Sequence, residues 1–318
     1  MTAYIIRRLL QSILVIFMVT IMLFVAMHLL PGDPILMMMT SSQVGQFTQE
    51  QLAILRHEYG LDRPLITQYF DWLVDAFRGD LGMSIQYSKT VSSEILRRIP
   101  ITLHLGALSF IIGFVIGLPA GVICAVRRGK WIDTVVTVLA NIGITVPGFW
   151  LAIMLMYLFA LQFRLFPIQG YVSPFEDFWD STSHIILPVF CLAIFPVAST
   201  CRQARSSMLE VMRQDYIRTA WAKGLKERMV ITRHALKNAL IPVVTLTGMG
   251  LAGIIGGAVL IEQVFNIPGM GRFAVQSVLY KDYPAVQGIV LIIALVVVLT
   301  NLVVDASMGW FDPKIRYG

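Results

Sequence analysis

Six apolar runs, most of them near twenty residues long, constrain this chain more than any other feature. A run of about twenty apolar residues crosses the roughly 30 Å hydrocarbon core of a bilayer as an α-helix, with every backbone group bonded inside the segment. The runs read as spans at Leu9–Leu30, Ile101–Val126, Thr134–Leu161, Ile185–Thr200, Ala239–Ile261 and Ala285–Met308. Composition agrees, at 57% hydrophobic and 14% charged, where soluble domains average about 45–50% and roughly 25%. The short alternating strands of a membrane β-barrel do not occur in the sequence. The expected fold class is an all-α polytopic membrane protein with six transmembrane helices.

The first run follows Arg7-Arg8 and exceeds a signal-peptide apolar region, so it reads as an uncleaved span. The fourth is short and carries Pro188 and Pro196, which predicts a kink. Lys and Arg collect at the N-terminus, at Arg127, Arg128 and Lys130, and between Arg202 and Lys237. The positive-inside rule puts these segments, and both termini, in the cytoplasm. The net charge of +6 thus follows topology, and membrane lipid rather than nucleic acid is the expected partner of the surface. Cys124, Cys191 and Cys201 lie in or beside apolar runs without metal-ligand spacing and read as packing residues. No His, Asp and Glu cluster suggests a metal site.

Organisation follows from these runs. Residues 1–30 hold the N-terminal end and first span. Residues 31–100 form an external segment with helix signals: a capping box from Thr48 to Gln51, then apolar stripes at Leu65, Tyr69, Trp72 and Phe77 and at Val91, Ile95 and Ile99. This predicts a small helical cap, either a docking surface or a self-packed insertion. Residues 101–308 form a five-helix core with a cytoplasmic loop at 202–238, and residues 309–318 a tail.

The 202–238 loop predicts a helical continuation of the fourth span through Met208 and Met212, then a short helix over Asp215–Lys223. Tyr216, Thr219, Ala220 and Lys223 share one face of it, and the small Ala220 leaves room for close approach by a partner. Gly224 suits the left-handed position that ends a helix. Such an element is a knob for a groove in another protein, or a solvated basic loop that only sets topology.

Several motifs carry a family resemblance that covers essentially the whole chain. They are Leu30-Pro-Gly-Asp-Pro34, Asp215-Tyr-Ile-Arg-Thr-Ala-Trp-Ala-Lys-Gly-Leu225 and Arg233-His-Ala-Leu-Lys-Asn-Ala-Leu-Ile-Pro242, followed by Glu262-Gln-Val-Phe-Asn-Ile-Pro-Gly-Met-Gly-Arg272, Asp282-Tyr-Pro284 and the tail Asp312-Pro-Lys-Ile-Arg-Tyr-Gly318. In this order they resemble the DppB/OppB branch of binding-protein-dependent ABC importer permeases, of the type I fold. The resemblance implies that Asp215, Tyr216, Arg218, Thr219, Ala220, Lys223, Gly224 and Leu225 belong to the EAA loop, which docks into an ATPase. Arg218 and Thr219 stand where the broad motif has Glu and Ala, and Pro242 falls later than in that motif. Docking is then expected to rest on shape at Ala220 and Gly224 and on positive charge, not on a carboxylate. The implied partners are a second homologous permease as a heterodimer, two cytoplasmic ABC ATPase subunits and an extracytoplasmic solute-binding protein. The implied location is the bacterial inner membrane. ATP and Mg would sit on the ATPase subunits, with no cofactor in this chain.

Glycines recur at i+4 spacing at Gly113, Gly117 and Gly121, and at Gly253 and Gly257 near Gly248, Gly250 and Gly256. Small residues let helices approach closely in lipid. For the fifth span the resemblance adds a role in lining a path that moves during alternating access. Asn141 is either path lining or a helix–helix hydrogen-bond partner, and Asp305 reads as interfacial. Glu262, Pro268 and Gly269 lie in an external turn that is either part of a gate or a cap on the bundle.

The chain has no Gly-x-x-x-x-Gly-Lys-Ser/Thr sequence, so energy for transport would come from a partner. Peptide is the expected solute, with nickel chelate, glutathione and oligosaccharide as alternatives. An intramembrane enzyme is the remote alternative, since Ser109 and His104 lack a third orienting group. A lone channel or secondary transporter would predict intramembrane charges and internal repeats.

Overall fold

The computed structural model describes residues 2–29, 51, 54, 57 and 62–311. The Leu30–Pro34 motif, the capping box at Thr48 and the tail from Asp312 lie outside the described residues. Apolar runs become helices: α1 (Thr2–Leu29), α3 (Val91–Val126), α6 (Phe178–Val211), α8 (Leu236–Val264) and α10 (Tyr283–Phe311). Shorter helices stand between them: α2 (Leu65–Phe77), α4 (Trp131–Thr145), α5 (Gly148–Leu155), α7 (Asp215–Ala222) and α9 (Met270–Leu279). Among the described residues, strand-type pairing is limited to one isolated bridge, Met83 to Thr90. Among the described residues, four helices, α1, α3, α6 and α10, are long and apolar enough to cross a membrane, or five spans if the bent pair α4–α5 counts as one. The sequence-predicted span Ala239–Ile261 lies within α8.

Three expectations change. The stripe Val91, Ile95 and Ile99 is not a separate external helix but the start of the 36-residue α3. Pro100 removes one backbone bond without ending the helix, because Val91 and Ile95 are already buried against Met270, Phe273, Ala285 and Ile289. At 1.5 Å per residue α3 reaches about 54 Å, well beyond the apolar core of a bilayer. The fourth span is not short. Both prolines sit inside the 34-residue α6, and Asp177 caps its start by accepting from the Trp179 and Asp180 amides. The third span is not one helix. Pro147 has no N–H and forces Val146 into extended geometry, φ −72° and ψ 125°, so α4 stops and α5 restarts at 101° to it. A π-helical turn, Met156–Gln162, continues α5.

The bundle centres on the seam between α3 and α6. A Cβ added at Gly117 would meet the Val197 carbonyl oxygen at 2.6 Å and the Thr200 side chain at 2.9 Å. At Gly121 it would collide with the Cys201 carbonyl oxygen and the Ala204 methyl, and at Gly113 with Pro196. Three glycines one turn apart thus let two backbones touch, which is how helices gain packing in lipid. The first and last helices also meet, where Arg8 pairs with Asp305 at 3.2 Å. In α2, Tyr69 is buried against α1, sharing a 2.9 Å hydrogen bond with the Thr20 hydroxyl and setting its ring edge-on to Phe24.

Candidate functional site

Three features carry chemistry. The first is α7, at one end of the bundle. Ile217 and Ala220 turn inward, into a cluster with Ala125, Met208, Val230, Ala235 and Ala239. Tyr216, Arg218, Thr219, Trp221 and Lys223 face outward. Ala220, which the sequence offers as a contact point, lies on the inward face. Its methyl is 5% exposed, because the face that carries Ile217 must bury. The helix ends as the spelling predicts. Gly224 has φ +71°, its amide donates to Trp221 O at 2.9 Å, and the Leu225 amide reaches Ala220 O at 3.4 Å. This pair of bonds is a Schellman motif, and Leu225 packs back on the inner cluster. The Tyr216 hydroxyl accepts from Asn238 at 2.8 Å, and Asp215 pairs with Arg218 at 3.4 Å in the open.

The platform beneath α7 is braced by charge. Arg205, on the extension of α6, grips Asp133 through both nitrogens of its fork, Nε to Oδ1 at 2.7 Å and Nη2 to Oδ2 at 3.0 Å. The Gly129 amide donates to the same carboxylate at 3.0 Å. This bidentate bond ties the Arg127–Lys130 turn to α6. The sequence reads Arg205 and the Arg127–Lys130 turn as topology markers alone. Nothing local links Asp133 with a partner 72 residues away.

The second feature is a cavity of about 450 Å³ at the α4–α5 break. Phe110, Phe114, Phe149, Phe195, Leu246 and Leu260 give it aromatic and aliphatic walls. Gly250, Gly253 and Gly257 leave one wall open, and a Cβ at Gly250 or Gly253 would meet nothing within 4 Å. Thr145, Ser199, Thr200 and Thr247 supply hydroxyls. Three of these protons go to the helices' own carbonyls, at Asn141, Pro196 and Val243. Among the described residues, no Asp, Glu, Lys, Arg or His lines it. Of the predicted path residues, Gly253 and Gly257 line this space. Asn141 is exposed on α4 and Gly256 on α8, and neither lines it. Gly248 instead lies against Val304 of α10.

The third feature is a clasp at the end of the bundle that holds α9. Glu262 is completely buried. It accepts from the Thr102 hydroxyl at 2.6 Å and the Arg272 amide at 2.9 Å, while the Met270 amide donates to Thr102 Oγ1 at 2.8 Å. The carboxylate therefore satisfies the orphan amides that open α9. Gly269 is where it is because a side chain there would occupy the Glu262 carboxylate. Pro268 completes the turn into α9. At the other end of α9, Asp282 accepts from Ser84 Oγ at 2.6 Å and the Gln86 amide at 3.1 Å. Arg98 pairs with Glu94 at 2.7 Å and lies 4.4 Å from the Phe273 ring centroid and 4.8 Å from that of Tyr87. Glu262, Pro268 and Gly269 thus contribute to a fastening within the chain. Thr102 and Asp282 are partners that sequence reading missed, since they lie 160 and 198 residues from the groups they bind. Among the described residues no group of three or more His, Cys, Asp or Glu could hold a metal.

Comparison with known proteins places this architecture. Residues 117–317 match the family described as "Binding-protein-dependent transport system inner membrane component", and residues 1–106 match its N-terminal companion. The oligopeptide transport system permease protein AppB of Bacillus subtilis (strain 168) is 41% identical over 320 residues, covering all of both chains. The dipeptide transport system permease protein DppB of Alkalihalophilus pseudofirmus is 37% identical over 337 residues, again covering all of both. Among solved structures, a chain of the inward-facing MetNI methionine ABC transporter matches with TM-score 0.55 and 21% identity, over 69% of this chain and 96% of that one. That likeness speaks to the fold. Both family matches, the full-length relatives and the helical bundle agree, and the chain belongs to the DppB/OppB-type permeases, the membrane components of binding-protein-dependent ABC importers.

Proposed function

We propose that this chain forms half of a peptide translocation path in a bacterial inner membrane. It would work beside a second homologous permease, two cytoplasmic ATPase subunits and an extracytoplasmic solute-binding protein. The observation that carries this reading is the full-length likeness to permeases named for oligopeptide and dipeptide transport. Six spans, with α7 on the cytoplasmic side and α9 on the opposite side, fit the charge distribution along the sequence. In this arrangement α7 is the coupling element. Arg218, Trp221 and Lys223 face outward, while Ile217 and Ala220 root the helix in its own bundle. A pull on α7 is therefore transmitted to α6 and α8 through packed side chains, and the two permease cores alternate between outward and inward openings. The cavity at the α4–α5 break belongs to the path, and the clasp around α9 holds the outer end.

The experiment is reconstitution in proteoliposomes with the ATPase subunits and the binding protein, measuring ATP-dependent uptake of labelled tripeptides. Uptake that needs all components is the expected result, and its absence in the fully assembled complex would refute the peptide reading. Reversing two exposed charges, Arg218→Glu with Lys223→Glu, should cut retention of the ATPase on the purified permease by about ten-fold, the scale of roughly 1.4 kcal/mol. Retention equal to wild type would remove α7 from the coupling role.

A further inference from the structure

The cavity at the α4–α5 break has walls without charge. Its lining holds four phenylalanines, several aliphatic side chains and hydroxyls whose protons are largely engaged by their own helices. Over 246–261, the stretch of α8 that faces it, the sequence contains no ionisable residue. At about 450 Å³ it has the size of a small-molecule pocket. Such a space cannot compensate the termini of a peptide. An ammonium or carboxylate moved into it would lose water and gain no opposite charge, which is strongly unfavourable. A bulky uncharged side chain, in contrast, would leave water for aromatic and aliphatic contact.

Resting on the peptide-permease reading, we propose that this cavity is a side-chain pocket of the path. It receives the uncharged, bulky side chain of a passing peptide while the charged termini stay in the aqueous part of the channel. The permease itself would then discriminate among solutes that the binding protein delivers, favouring apolar side chains over ionised ones. Gly250, Gly253 and Gly257 set the depth of the pocket, because side chains at those positions would project into the space the solute needs. A Cβ at Gly253 has no neighbour within 4 Å, so a side chain there starts into the open space of the pocket.

The test uses the whole reconstituted importer, with the binding protein saturated by each peptide in turn. Ala-Phe-Ala, Ala-Ala-Ala and Ala-Lys-Ala are the probes. Gly253→Leu should lower the ratio of Ala-Phe-Ala to Ala-Ala-Ala uptake by about ten-fold, the usual discrimination of an apolar pocket. Thr247→Asp should raise Ala-Lys-Ala uptake relative to Ala-Phe-Ala. Val115→Leu, on an exposed face of α3, should leave both ratios as in wild type and serves as the control. Unchanged ratios in both pocket variants would overturn the proposal even if wild-type uptake of all three peptides is robust. No uptake of any peptide by assembled wild type would instead overturn the peptide-permease reading, and the pocket assignment with it. Thermal melting of the purified Gly253→Leu complex, expected to match wild type, separates a filled pocket from a misfolded chain.

Discussion

Two glycine rows with the same spacing have opposite surroundings. Gly113, Gly117 and Gly121 of α3 are buried against the backbone of α6, so that no Cβ fits at any of them. Gly253 and Gly257 of α8 are exposed on an open cavity, with no neighbour or only the Leu192 side chain, at 3.9 Å, within reach of a Cβ. In the first row the missing side chain is filled by another helix. In the second it is left empty. The i, i+4 pattern marks places where bulk is excluded. It does not say whether the excluded volume belongs to the protein or to something that passes through it.

The widest test of this contrast is Gly121→Leu. Its side chain would strike the Cys201 carbonyl and Ala204, so α3 and α6 must part. Overpacking of this kind typically costs about 1–3 kcal/mol and here meets backbone, which cannot rotate away. The expected outcome is loss of monodisperse protein on gel filtration. Recovery at wild-type yield would mean that the seam is loose. Asp133→Asn sharpens the comparison by asking whether charge rather than contact holds α6 in place. Replacing the carboxylate that Arg205 grips with two bonds should destabilise by about 1–3 kcal/mol, seen as a lower melting temperature. A loss as large as that of Gly121→Leu would make the ion pair the main fastening of that end. The smallest effect belongs to Gly253→Ala. Alanine is about 1 kcal/mol better than glycine within a helix and meets no neighbour here. Melting should be unchanged or slightly raised, and a clear drop would show that α8 is packed where the cavity now stands.

Much of this was legible in sequence because it is local. Apolar runs gave the helices, and Gly224 announced the end of α7 through its backbone demand. The break in the third span was written in Val146-Pro147-Gly148, yet the surrounding apolar residues made one long helix the simpler reading. Ala220 is less legible for a different reason. A small residue on a helix surface signals close approach, but only the position of Ile217 relative to the bundle tells from which side. The clasp could not be read at all. Glu262 looks like a lone carboxylate in a turn, and its meaning comes from Thr102, which lies on another helix far upstream in the chain. Buried hydrogen bonds of this separation have no local signature.

The Arg8–Asp305 and Ser84–Asp282 contacts join early and late parts of the chain, and they bear on the order in which the protein is made. A ribosome releases the N-terminal segments first, and they wait with their partners unsynthesised. Until Asp282 emerges Ser84 lacks its carboxylate, and until α10 follows Val91 and Ile95 lack part of the surface that buries them. A chain stopped before Asp282 would thus lack both the carboxylate that anchors the 80–90 loop and the helix against which α1 packs.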